Sequence, residues 1–212
     1  LFELGGGTLR LVSVDGYRLA IREEPVQANE EASFVVPGKT LNEVTKLLSD
    51  SEEETLSLVV GRRHILFKIG NYTVISRLLE GEFLDYKAAI PAASSTEVLV
   101  NTRSFIESVE RVSLLITDRL KSPVRCLFED NEIKLSCSTS MGRANDQFEA
   151  QITGGNVEIG FNNRYLLDAL RNAEGDEVKV QLNGPLSPMK VLPREGNAFL
   201  FLVLPVRLKS DS

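Results

Sequence analysis

Residues that most often carry enzyme chemistry are scarce: the 212-residue sequence has one histidine, His64, and two cysteines, Cys126 and Cys137. His64 sits in an alternating, strand-like run after Arg62-Arg63, with no serine elbow, no paired metal ligands and no glycine-rich phosphate loop ending in Lys-Ser or Lys-Thr. Neither a catalytic site, a metal site nor a cofactor is expected. The cysteines lie in strand-like text without a second pair or a nearby histidine, which argues against a disulfide framework or a zinc site and for buried free thiols. No stretch approaches the roughly 18 apolar residues of a membrane helix. No charged, apolar, small-residue order opens the chain as a secretory signal would. A soluble, cytosolic protein without a membrane partner is expected. The chain opens at Leu1 rather than methionine, directly in strand-like text, and reads as a fragment of a longer protein.

What is present is ordinary globular composition, 42% hydrophobic and 25% charged, in a length suited to one large or two ordinary domains. The net charge of -6 argues against a nucleic-acid partner until its distribution is considered. Three segments read as helices, 39–48, 101–116 and 162–172. They carry Lys39, Lys46, Arg103, Arg111, Arg164 and Arg171 against Glu43, Glu107, Glu110 and Asp168, a balance of +2 that leaves -8 for the remainder. A mildly basic helical layer on an acidic body suits a protein that surrounds DNA without gripping it; ordinary solvated helix faces give the same count. The acidic run Glu52-Glu53-Glu54 reads as a solvated loop.

Most of the chain reads as strand. Leu9–Leu11 and Leu19–Ile21 flank Asp15-Gly16, Thr55–Val60 and His64–Ile69 flank Gly61-Arg62-Arg63, and Gly5-Gly6-Gly7 is a flexible hairpin turn. The first helix follows Pro37-Gly38, with Leu41, Val44, Leu47 and Leu48 at helical spacing. Phe105, Val109, Val112 and Ile116 recur likewise in the second, capped by Asn101 or Thr102. Leu166, Leu170 and Ala173 line the third, which should end near Gly175. The order repeats. Leu1-Phe2-Glu3 returns as Leu127-Phe128-Glu129, each followed by a turn, two strands, a strand leading into a helix, and three strands. This implies two similar domains, the first without a counterpart of Val98 to Ile116. The small-residue run Pro91-Ala92-Ala93-Ser94-Ser95 marks the boundary.

Asp15-Gly16-Tyr17-Arg18-Leu19 resembles an Asp-Gly-His-Arg-Leu turn, and Gly81-Glu82-Phe83-Leu84-Asp85-Tyr86 a Gly-x-Phe-Pro-Asp-Tyr linker. Leu204-Pro205-Val206-Arg207-Leu208 resembles a closing Met-Pro-Met-Arg-Leu, and Glu158-Ile159-Gly160-Phe161-Asn162 also matches. All four belong, in this order, to the bacterial sliding clamp family, the beta subunit of DNA polymerase III. The resemblance covers essentially the whole chain. It implies an α+β DNA clamp (processivity) fold, with antiparallel β-sheets on the outside and helices on the inner face. Residues 1–91 would be a truncated second clamp domain and residues 92–212 the third, C-terminal one. The implied function is that of a non-catalytic processivity factor in the bacterial cytoplasm, nucleoid-associated during replication, which encircles double-stranded DNA independently of sequence. Intact members close a homodimeric ring head to tail; this fragment is expected to be monomeric.

The resemblance also implies an apolar pocket for Gln-Leu-x-Leu-Phe-type peptides from the DNA polymerase III alpha subunit, the clamp loader and other replication and repair proteins. Val14, Gly16, Tyr17, Arg18 and Leu19 would form one side, with Leu84 and Ala89 from the linker. Tyr165, Leu186, Pro188, Leu202, Leu204, Pro205, Val206 and Arg207 would complete the wall. Burying two large apolar side chains there supplies roughly 3 to 6 kcal/mol before ordering costs, hence micromolar affinity. Pro205 cannot donate to a ladder, so the strand should stop at Leu204 and leave Val206, Arg207 and Leu208 as an exposed tail in need of a partner. Each residue has a plainer role beside this one. Asp15-Gly16 is by itself a hairpin turn with glycine at a positive-φ position, Leu202 and Leu204 are core strand residues, and Arg18 and Arg207 are solvated charges. Tyr17 stands where the family often has histidine, Leu84 where it often has proline, and Ala88 where some members have arginine. Those departures keep the cleft apolar and alter its rim. Lys39, Lys46, Arg103, Arg111, Arg164 and Arg171 are the DNA-facing candidates. The alternative class is a β-rich, non-catalytic interaction or scaffold module unrelated to DNA.

Overall fold

Two-residue turns between apolar runs set the architecture. The computed structural model describes residues 1–28, 30–49 and 55–208; the run Glu52-Glu53-Glu54 lies outside them. Strands β1 (Phe2–Gly5) and β2 (Thr8–Val14) join across Gly6 and Gly7 at φ 58° and 75°, the left-handed pair that a tight hairpin requires. There follow β3 (Arg18–Pro25), β4 (Ala32–Phe34), helix α1 (Gly38–Leu47) and a meander of β5 (Leu56–Val60), β6 (His64–Ile69) and β7 (Tyr72–Arg77). A 3-10 turn at Tyr86–Ala89 leads to β8 (Thr96–Asn101) and α2 (Thr102–Ser113). Next come β9 (Val124–Glu129), β10 (Glu132–Thr139), β11 (Gly142–Glu149), β12 (Gln151–Gly154), β13 (Val157–Phe161) and α3 (Asn163–Arg171). The chain closes with β14 (Glu177–Leu182), β15 (Met189–Pro193) and β16 (Phe199–Val203).

Strands β9 and β10 turn on Asp130 and Asn131 at φ 52° and 59°, so the repeat legible in the sequence is repeated in the backbone. From β1 and from β9 the order is hairpin, strand, strand into helix, meander, with β12 added in the second copy.

The chain forms two compact bodies, Leu1–Val12 with Glu24–Leu84 and Ser13–Glu23 with Asp85–Ser212. The main chain thus changes body between Leu84 and Asp85, and the start of β3 is grouped with the second body. In the first body, β2-β1-β4 and β5-β6-β7 are antiparallel runs. Their core is Phe2, Val36, Val44, Ile65, Phe67 and Ile69, with Phe2 stacked on Phe34 at 5.2 Å. In the second body, β12-β8-β14-β15-β16-β3 and β11-β10-β9-β13 are the two antiparallel runs. Helix α2 packs on β8 to β11 and on α3, and α3 packs on β16. Each side chain such as Phe105 or Leu166, 0% exposed, contributes about 1.5–3 kcal/mol of apolar burial. Cys126 and Cys137 are free and buried there; burial pushes the Cys126 thiol far above its ordinary range.

Helix ends depart from the expected ones for local reasons. Asn101 caps α2, its Oδ1 accepting from Ser104 N–H at 2.9 Å, but the helix stops at Ser113 rather than 116. Leu114 and Ile116 donate to Arg111 and Ser113 carbonyls in tightened three-residue steps, and Leu114 is 81% exposed while Ile116 still packs on the core. Leu48 is the extended C-cap of α1 and 43% exposed, not part of its apolar face. Helix α3 ends at Arg171, four residues before Gly175.

Candidate functional site

The second body gathers the ends of its sequence around one turn. Asp15 builds that turn: Oδ1 accepts from the N–H groups of Tyr17 (2.9 Å) and Arg18 (3.1 Å), while the Asp15 N–H donates to the Arg18 carbonyl at 3.1 Å. The positive φ expected at Gly16 is absent, because the aspartate carboxylate holds a turn that needs no left-handed residue.

The same carboxylate aims Arg18. Arg18 Nε donates to Asp15 Oδ2 at 2.9 Å, Nη1 donates to Asp168 Oδ2, and Cζ lies 4.6 Å from the Tyr165 ring centre. Tyr165 and Asp168 are three apart on α3 and therefore share a face, which lets one guanidinium meet both. Tyr17 stacks on Tyr165 at 5.7 Å and remains 61% exposed. Desolvation works to raise the Asp15 pKa, but the bonds from Tyr17, from Arg18 and from its guanidinium together hold it below the ordinary 3.8. The bond to Asp15 raises Arg18, which stays charged at any working pH.

Next to Arg18 in the same strand, Leu19 faces Leu202 across the β3–β16 ladder at 4% and 1% exposure, and strand alternation turns this buried pair away from the core cluster that takes Ala20, Phe201 and Val203. The wall is the chain after β16. Leu204 N–H donates to the Tyr17 carbonyl at 2.9 Å, and Pro205 ends the ladder. The tail was expected to be exposed and in need of a partner; Val206 and Arg207 are exposed, yet Val206 N–H donates to the Gly160 carbonyl at 2.8 Å in an isolated antiparallel bridge, and Leu208 is partly buried against Gly160. Val206 N–H finds in β13 the acceptor that the β16 ladder no longer offers. Leu204 and Val206 keep 39% and 41% of their surface exposed. An open cavity of about 410 Å³ adjoins Val206, lined also by Ile116, Lys121, Asn162, Arg164 and Tyr165.

The other expected pocket residues are placed as follows. Met189 lies opposite Val203, which sets Pro188 one step past the ladder beside Leu204, while Leu186 is 70% exposed in the preceding turn. Ala89 is exposed at the end of the 3-10 turn. That segment is tied down by Lys190, 8% exposed, whose Nζ donates to the Pro91 carbonyl at 2.9 Å; burial lowers the lysine pKa. Val14 is half-buried, and Gly16 and Arg207 are exposed. Leu84, 53% exposed, ends the first body. Sequence reasoning missed Asp15 and Asp168 as the holders of Arg18, and Gly160 as the seat of the tail; a glycine inside the strand Val157–Phe161 was the available signal.

Of the basic helix residues, Lys39 and Lys46 stand on α1, Arg103 and Arg111 on α2, and Arg164 and Arg171 on α3. Five are ion-paired: Lys46 with Glu43 (2.8 Å), Arg103 with Glu107 (2.7 Å), Arg111 with Asp146 (2.7 Å), Arg164 with Asp118 (2.6 Å) and Arg171 with Glu110 (2.6 Å). The positive charge of these helix residues is thus largely balanced by ion pairs within each body.

Two family models match the chain: the DNA polymerase III beta subunit central domain over residues 1–85 and its C-terminal domain over residues 87–207. A beta sliding clamp of Bacillus subtilis is 34% identical over 204 residues, covering 94% of this chain and 54% of the relative. One from Staphylococcus aureus is 31% identical over 198 residues, covering 92% and 52%. Among solved structures, the Bacillus subtilis DNA polymerase sliding clamp superposes with TM-score 0.94 at 31% identity, over 98% of this chain and 56% of that one. A Pseudomonas aeruginosa sliding clamp bound to griselimycin superposes with TM-score 0.91 at 28% identity, over 98% and 56%. The sheet-rich architecture with three helices is therefore the sliding clamp fold. The chain belongs to the DNA polymerase III beta subunit family. It spans about half the length of the curated relatives it matches.

Proposed function

We propose that this chain is part of a non-catalytic processivity clamp of bacterial DNA replication, and that its second body carries the pocket through which polymerase and other partners are tethered. The observation that carries the proposal is the meeting of Tyr17, Arg18, Tyr165 and Leu204 where β3 begins, beside the buried ladder pair Leu19 and Leu202, in a chain of this family. Such a surface offers one apolar wall, one aromatic face and one guanidinium, which suits a peptide that inserts leucine and phenylalanine side chains and presents backbone or glutamine carbonyls to the cation.

The partners follow from this. The DNA polymerase III alpha subunit, the clamp loader and other proteins with Gln-Leu-x-Leu-Phe-type segments would dock here. Ala89, Leu186, Pro188, Val206 and Arg207 would contribute from the rim. Double-stranded DNA would be encircled by the full assembly and met by the helix residues Lys39, Lys46, Arg103, Arg111, Arg164 and Arg171. Residues 1–91 would act as the second clamp domain and residues 92–212 as the third, in the bacterial cytoplasm at the replicating nucleoid.

Fluorescence anisotropy of a labelled Gln-Leu-Ser-Leu-Phe peptide tests the pocket. Saturable binding at micromolar concentration is expected, weakened at least tenfold by Leu204→Lys, which places a charge in the apolar wall. Absence of binding by the folded chain overturns the pocket. DNA binding by this chain alone should be weak and fall steeply with salt; tight binding at physiological salt contradicts the encirclement reading.

A further inference from the structure

Gly160 lies in β13, buried, with a backbone that any residue can adopt, since its φ is outside the left-handed region. Conformation therefore does not call for glycine there. Space does: a Cβ at this position would meet Leu208 Cδ2 at 2.6 Å, the Val206 carbonyl oxygen at 2.8 Å and Leu208 Cγ at 3.0 Å. All three of these nearest atoms belong to the tail. Leu208 could rotate away, but the Val206 oxygen is fixed by the bridge in which Val206 N–H donates to the Gly160 carbonyl at 2.8 Å. The tail is fastened at its other end as well, where Leu204 N–H donates to the Tyr17 carbonyl at 2.9 Å. The turn that leads into β3 and the strand β13, which lies in the other sheet, are thus connected by the tail between Leu204 and Val206.

We propose that Gly160 is the seat of the C-terminal tail and thereby a positioning residue of the peptide pocket: its missing side chain lets Val206 and Leu208 dock on β13, and this fixes the wall formed by Leu204 and Val206. The pocket half of the proposal rests on the peptide-binding function proposed above; the seat itself does not. An unseated tail leaves Leu204 held at one end only, so a ligand must order the wall at the moment of binding.

The test uses the full chain, Gly160→Ala, and the same pair shortened after Leu204. Hydrogen exchange at the Val206 amide reads the seat, and anisotropy with the labelled Gln-Leu-Ser-Leu-Phe peptide reads the pocket. In the full chain, Gly160→Ala should lower protection of the Val206 amide and peptide affinity by about tenfold each, the scale of one lost hydrogen bond with its contacts. In the shortened chain the substitution should change neither peptide affinity nor thermal midpoint, because the atoms it would strike are gone. Unchanged tail protection in full-length Gly160→Ala overturns the seat. Lost protection with unchanged affinity overturns its role in the pocket. Destabilisation of the shortened chain shows a general strand defect and also overturns the proposal. Failure of the unsubstituted chain to bind peptide, with tail protection still lost in Gly160→Ala, leaves the seat standing and overturns the pocket reading alone.

Discussion

Strands β5 and β14 hold the same place in their repeats, each following the repeat's helix and opening a three-strand meander, yet their inward residues meet opposite fates. In β14, Val178, Val180 and Leu182 are 0%, 0% and 1% exposed; in β5, Leu56, Leu58 and Val60 are 37%, 37% and 43% exposed. The inward direction is the same, for Leu56, Leu58 and Val60 stand opposite the buried Ile69, Phe67 and Ile65. What differs is the next strand. β14 pairs with β8, and α2 follows β8 across the core; among the described residues β5 pairs only with β6. An apolar inward pattern therefore guarantees which face a residue occupies, and neighbouring elements decide how far water is removed from it.

Five outcomes would break or sharpen this contrast. The largest concerns charge: Val180→Asp buries an unpaired carboxylate and should cost more than about 4 kcal/mol, enough to unfold the second body, whereas Leu58→Asp should cost less than about 1.5 kcal/mol. Circular dichroism of the two purified variants distinguishes them, and equal damage would show that β5 is as enclosed as β14. A gentler version uses truncation. Val180→Ala should cost about 2–3 kcal/mol and Leu58→Ala about 1 kcal/mol in urea denaturation, the difference being cavity against partly wet surface. Hydrogen exchange gives the backbone counterpart: amides on the open side of β5 should exchange at least tenfold faster than those of β14, whose two sides are both paired.

The smallest effect concerns exposed charge rather than exposed apolar surface. Asp168→Asn should change stability by less than about 1 kcal/mol, because the Arg18 and Asp168 side chains are 39% and 53% exposed. Acid should act in the same modest way. A carboxylate whose folded pKa is depressed stabilises the fold above its unfolded value and ceases to do so as pH falls through the folded one, so the contribution of Asp15 is lost below pH 3.8. A stability profile flat across that range, or an Asp15→Asn variant retaining the full acid response, would assign the acid sensitivity elsewhere.

How much of this was legible beforehand varies by residue. The hairpin at Gly6-Gly7, the cap at Asn101, the apolar face of α2 and the repeated order all follow from local chemistry, since turn geometry and helical spacing act within a few residues. The end of α2 did not, because Ile116 keeps its core contact without remaining helical. At the candidate site, Tyr17, Arg18, Tyr165 and Leu204 could be named from motifs. The Arg18–Asp168 contact, spanning 150 positions, could not, because no local periodicity links β3 to α3.

The sequence by itself determined the two-repeat α+β organisation, the strands and helices with their inward faces, and the family, because those depend on short-range propensity and on ordered motifs. Only the tertiary structure decided that Asp15 rather than Gly16 makes the turn, and that the exposed tail finds its partner in Gly160 of β13. It alone decided as well that Leu19 and Leu202 are buried opposite one another across the β3–β16 ladder. The Asp15 turn is closed by bonds two and three residues away, a choice among local alternatives; the others are fixed by what a distant segment places within a few ångströms, such as the Gly160 carbonyl that accepts from Val206, and such encounters leave no mark on the spacing of residues along the chain.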